Sequence, residues 1–113
     1  MSWWIRQVAV LAADLDGTVG QIAERFDLDV CHRSDRVEGH AMSNALMPVG
    51  EQFLEVASPL DNSSPAARLL ARRGDCGYLV ILQTDDMDAA RGCAEAKGAA
   101  VTIELPMAGE EDA

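Results

Sequence analysis

Lysine is nearly missing from this chain: Lys97 is the single one among 113 residues, with nine basic side chains in all against 19 acidic ones. The resulting net charge of −10 argues against nucleic acid or an anionic membrane surface as partner, since both call for a basic face. Aromatic residues make up only 4 %, so there is little material for a stacking floor under a flat ligand. The three cysteines, Cys31, Cys76 and Cys93, are odd in number, widely spaced and without a C-x-x-C pair. They read as reduced thiols of a cytoplasmic protein and not as a disulfide framework. His32 and His40 stand near Cys31, but their spacing matches no zinc pattern. Long apolar runs are also lacking. Val8 to Ala13 is closed by Asp14, too short for a signal peptide core and far from the roughly 20 residues of a membrane span.

What is present is an apolar fraction of 49 %, enough for one folded domain with a modest core. Ile5 to Ala13 reads as a strand covered on at least one face. Leu15, Val19, Ile22 and Phe26 then recur at helical spacing, with Asp14 as N-cap and Asp16 in the first turn. Leu28 to His32 suggests a short strand, and Arg33 to Gly39 a charged loop. His40 to Val49 and Gln52 to Ala57 read as a hairpin turning at Pro48-Val49-Gly50-Glu51. Ser64-Pro65 opens a helix that runs to Arg73 and stops at Gly74. Tyr78 to Thr84 is a strand, Asp86 to Lys97 a helix ended by Gly98, Ala99 to Glu104 a last strand, and Pro106 onward an acidic tail. At an offset of 72, Val8 falls on Val80, Asp14 on Asp86, Asp16 on Asp88 and Gly20 on Gly92. The second part therefore repeats the start of the first.

The string V-A-V-L-A-A-D-L-D-G-T at 8–18 resembles the opening motif of the haloacid dehalogenase-type phosphatases. That chemistry also needs a downstream lysine and a later acidic pair for Mg²⁺. After Lys97 come only Glu104, Glu110, Glu111 and Asp112, none of them an acidic pair at a strand end. The acidic pair returns at Asp86-Met87-Asp88, again where a strand gives way to a helix. A cap explains both occurrences, and phosphoryl transfer is left as a minor alternative.

The order β-α-β-β-β, a linking helix, then β-α-β resembles the vicinal oxygen chelate superfamily, the glyoxalase I and bleomycin-resistance group. The resemblance covers roughly residues 5 to 103. It is clearest in N-A-L-M-P-V-G-E-Q-F-L-E-V-A-S-P at 44–59 and G-Y-L-V-I-L-Q-T-D-D-M-D-A-A at 77–90. It implies an α+β fold: a first βαβββ module at 5–58, a linking helix at 59–75, a partial second module at 76–104 and a tail at 105–113.

In that superfamily two modules enclose a cavity, and metal ligands come from the first and fourth strands of each. The matching positions of the first module are Gln7 and Glu55. Strand alternation places Gln7 with Ala9 and Leu11 on one face, and Glu55 with Phe53 and Ala57 on one face. Asn44, Leu46 and Phe53 are expected to line the cavity. By the repeat offset, Leu79 stands where the second module would supply a ligand, and the later strands of that module are not in the sequence. The expected completion is a homodimer in which two first modules share one divalent ion; the other reading is a cavity without metal. Two functions stay open. One is a glyoxalase-like isomerase or lyase, with Glu55 as base or ligand. The other is a non-catalytic protein that sequesters a small ligand, as bleomycin-resistance proteins do.

Overall fold

In the computed structural model, which describes residues 1–35 and 41–100, the first apolar run forms strand β1 (Trp3–Leu11). Helix α1 (Leu15–Phe26) follows directly, because Asp14 caps it: the carboxylate accepts from Gly17 N at 3.0 Å. Strands β2 (His32–Ser34), β3 (Met42–Val49) and β4 (Gln52–Pro59) complete a βαβββ unit. Ser64 then caps α2 (Pro65–Arg73), with the proline in its first turn, and Gly74 closes it at φ 73°. Strand β5 (Cys76–Thr84) and helix α3 (Met87–Ala96) end the described architecture. The fold is α+β, as expected.

The chain divides into two compact units. The larger, Trp4–Gln83, is built on one sheet of order β2-β3-β4-β1-β5. β1 runs parallel to β4, whereas β2–β3 and β3–β4 are antiparallel. At one end of β5, Asp75 Oδ1 accepts from Ala13 N at 3.0 Å; at the other, Gln83 Oε1 accepts from Arg6 Nη1 at 3.4 Å. These contacts run β5 antiparallel to β1. Among the described residues, the smaller unit takes in Met1–Trp3 and residues 84–100. In it, Ser2 N donates to Asp85 Oδ1 and Thr84 Oγ1 donates to Ser2 O, each at 2.8 Å, and Asp86 caps α3.

The two sheet faces of the larger unit are covered differently. One carries Ala45, Met47 and Val56, packed with Val10 and Leu54 beneath Val19, Leu15 and Ile22 of α1. Met47 and Val56 are fully buried, and each such side chain contributes about 1.5–3 kcal/mol by leaving water. On the other face Leu11, Met42 and Ala57 meet Ala66, Leu69 and Leu70 of α2. α2 thus covers only one end of this second face.

Three expectations need correction or placement. The short strand lies at His32–Ser34 and not at Leu28–His32, so Arg33 and Ser34, expected to be loop, are strand. Leu28 belongs instead to the end of α1, packing on its core while Leu28 N donates to Ala23 O at 3.0 Å. His40, residues 101–104 of the expected last strand and the acidic tail lie outside the described residues.

Candidate functional site

On the face opposite α1, register decides which side chains meet. Ala9 of β1 pairs with Glu55 of β4, and Leu46 of β3 pairs with Glu55 from the other side. Gln7 lies two residue pairs along β1, opposite Phe53, and Asn44 two pairs along β3, opposite Ala57. Both are diagonal neighbours of Glu55, a separation that long polar side chains can bridge. Ala9, with only a methyl group, leaves them room.

Both amides converge on the carboxylate. Gln7 Nε2 donates to Glu55 Oε1 at 2.7 Å, and Asn44 Nδ2 donates to Glu55 Oε2 at 2.9 Å. Each carboxylate oxygen is therefore held by an amide from a different neighbouring strand. Gln7 and Glu55 are half-buried, Asn44 is buried, and Leu46 and Phe53 are half-buried beside them. The structure brings together Gln7 and Glu55, the pair expected from the first and fourth strands. It also joins Asn44, expected only to line the cavity, to Glu55 by a direct hydrogen bond. The signal was present: the hairpin turns on Gly50 at φ 62°, and Val49 pairs with Gln52. A two-residue turn there sets Asn44 diagonal to Glu55.

An open cleft of about 250 Å³ lies between β1 and β5, lined by Val8, Ala9, Gly77, Tyr78, Leu79 and Val80. It reaches Ala9, the register partner of Glu55. Leu79 is apolar and exposed and supplies no ligand. Among the described residues no group of three or more His, Cys, Asp or Glu side chains is placed to hold a metal ion. A cation at this site would be met by oxygen: the Glu55 carboxylate and the amide carbonyls. His32 stands in the same row as Leu46 and Glu55 but is exposed on β2.

The two acidic residues of D-L-D-G-T are engaged elsewhere. Asp14 caps α1, and Asp16 forms an ion pair with Arg33 of β2. Neither belongs to this site.

No family model matches the sequence, and no curated protein matches it. Solved structures do match. Methylmalonyl-CoA epimerase from Mycobacterium tuberculosis aligns with TM-score 0.78 and 22 % identity over 89 % of this chain and 68 % of that one. A Streptomyces coelicolor methylmalonyl-CoA epimerase variant in complex with 2-nitronate-propionyl-CoA aligns with TM-score 0.80 and 23 % identity, over 91 % and 75 %. A hypothetical protein from Bacillus halodurans aligns with TM-score 0.78 and 15 % identity, over 87 % and 70 %. Identities this low speak for the fold alone. The chain therefore has the glyoxalase-like fold of these epimerases, the α+β plan that its own βαβββ order implied.

Proposed function

We propose that the protein binds a small oxygen-bearing molecule on the sheet face around Glu55 and acts on it as a glyoxalase-like isomerase or lyase. The observation that carries this reading is the Glu55 carboxylate held by Gln7 and Asn44 from both flanking strands. A carboxylate fixed in this way, beside Leu46 and Phe53, suits a base that takes a proton next to a carbonyl group. The ligands of the structural neighbours, methylmalonyl-CoA and 2-nitronate-propionyl-CoA, make a CoA thioester the first substrate class to test.

The donor set also fits a hard divalent cation, for which carboxylate and amide oxygens are suitable partners. Gln7 and Glu55 would hold it, and bound there it would polarise a substrate carbonyl. Analysis of the purified protein by mass spectrometry after exposure to Mn²⁺ tests this point. The expected result is stoichiometric metal on the parent chain and its loss from Glu55→Ala. Equal metal on both, or none on the parent, contradicts it.

A homodimer is part of the same proposal. Trp4, Ile5, Tyr78, Leu79, Val80 and Leu82 lie on the adjacent strands β1 and β5 and are 39–60 % exposed. Successive strand residues point to opposite faces, so these side chains flank the sheet edge on both sides, and large apolar side chains left open at a sheet edge mark a contact surface. A second copy also supplies the further ligands that Leu79 cannot. Three unpaired cysteines suit a reducing compartment such as the cytoplasm. Among the described residues no helix is long and apolar enough to cross a membrane.

The second reading, a protein that sequesters its ligand without chemistry, is favoured by Leu79. Its apolar side chain removes one of the four positions from which a two-module site would draw its polar groups.

A further inference from the structure

We infer that Asn44 is a positioning residue for Glu55, retained at a cost to the stability of the fold. The inference rests on the reading above, in which Glu55 is the functional carboxylate.

Asn44 is only 9 % exposed, and its two polar atoms fare differently. Nδ2 donates to Glu55 Oε2 at 2.9 Å, while Oδ1 is buried with no hydrogen-bond partner. A buried acceptor that has lost water and found no donor weakens folding, and native structures contain few of them. Turning the amide over gives no relief, because it would set Oδ1 against the carboxylate oxygen.

The surroundings give the amide oxygen no partner. Asn44 pairs with Ala57 on one side and with Ser34 on the other, and the neighbouring side chains of this end of the face are Leu11 and Met42, beneath Ala66 and Leu69 of α2. An aliphatic side chain would suit such a place better and would leave no orphan atom. Among the described residues, the one side chain that Asn44 bonds is Glu55.

What it does there follows from the geometry. Gln7 holds Oε1 from the β1 side. Without Asn44, Oε2 is unheld and the carboxylate can rotate about its terminal bond. With both amides in place its plane is fixed between three strands, and preorganisation of this kind is what a base or a cation ligand needs. Stability given up in the apolar end of the sheet is exchanged for a fixed carboxylate, a trade found at functional sites.

The variants Asn44→Leu and Asn44→Ala separate this role from a structural one. Three quantities are read on each: the thermal midpoint, the hydrogen exchange of the Gln7 side-chain amide by ¹⁵N NMR, and the affinity for Mn²⁺. A residue that merely supports the fold would lower the midpoint and leave the folded-state Gln7 amide alone. The expectation is the reverse. Asn44→Leu melts no lower than the parent, the Gln7 amide exchanges at least about threefold faster in both variants, and Mn²⁺ binds about tenfold more weakly. A parent-like Gln7 amide in both variants overturns the inference, as does a midpoint several degrees lower in Asn44→Leu. If the parent binds no Mn²⁺, the cation part of the proposed function falls, while the Gln7 amide still decides the role of Asn44.

Discussion

A Cβ placed on Gly17 would run into the Asp14 carboxylate. That clash is a local reason for the glycine of the D-L-D-G-T string. The Asp14 carboxylate folds over the first turn of α1 to accept from Gly17 N, and any larger residue would push it out. Gly20, one turn further on, meets nothing within 4 Å. The two glycines therefore predict opposite outcomes. Gly20→Ala gains about 0.5–1 kcal/mol, the ordinary advantage of alanine within a helix. Gly17→Ala gains nothing, because its propensity is offset by a disrupted cap worth about 1 kcal/mol. Urea unfolding at unchanged m-value checks both, and a stabilised Gly17→Ala would refute the cap as the reason for the motif. At this scale the resemblance to a phosphatase dissolves into local helix chemistry.

At the scale of elements, the helix ends were the most legible part of the sequence. Asp14, Ser64 and Asp86 all cap as expected, and Gly74 ends α2. The end of α1 was harder to read, because no glycine marks it. Asp27 takes the left-handed conformation at φ 53°, and Leu28 N reaches back to Ala23 O. This is a helix C-terminus of the Schellman kind with an aspartate in the usual glycine position. Leu28 is the apolar residue that accompanies it, and from its letters alone it resembled the start of a strand. Asp27→Gly should stabilise the protein by about 0.5–1 kcal/mol, since it relieves the strain of a side chain at positive φ. A calorimetric midpoint at or below that of the parent would count against this account. The site shows the same division. Alternation alone put Gln7 and Glu55 on defined strand faces, but a hydrogen bond between them needs the parallel β1–β4 register. The register of a non-local parallel pair is set by tertiary packing and has no local sequence signature. The β3–β4 register was more accessible, through the turn at Gly50, and with it the place of Asn44.

For the whole molecule, the proposed dimer rests on the exposed apolar side chains of β1 and β5. If two copies meet through β1 and β5, Val80→Asp places a charge in the contact and should convert the dimer to monomers. The mass in solution, measured across micromolar concentrations, checks this; a parent chain that is monomeric throughout contradicts the dimer. A net charge of −10 adds repulsion between copies, so association should strengthen as salt rises.

Glu55, held by Gln7 and Asn44, is the residue proposed to carry the chemistry of this glyoxalase-like fold. The most direct test follows the proton next to the thioester carbonyl of methylmalonyl-CoA by NMR in D₂O, with divalent metal supplied. The parent protein should exchange that proton for deuterium well above the buffer rate, and Glu55→Gln should lose at least about a hundredfold of the acceleration. Exchange at the buffer rate with the parent, or a Glu55→Gln variant as fast as the parent, would contradict the account.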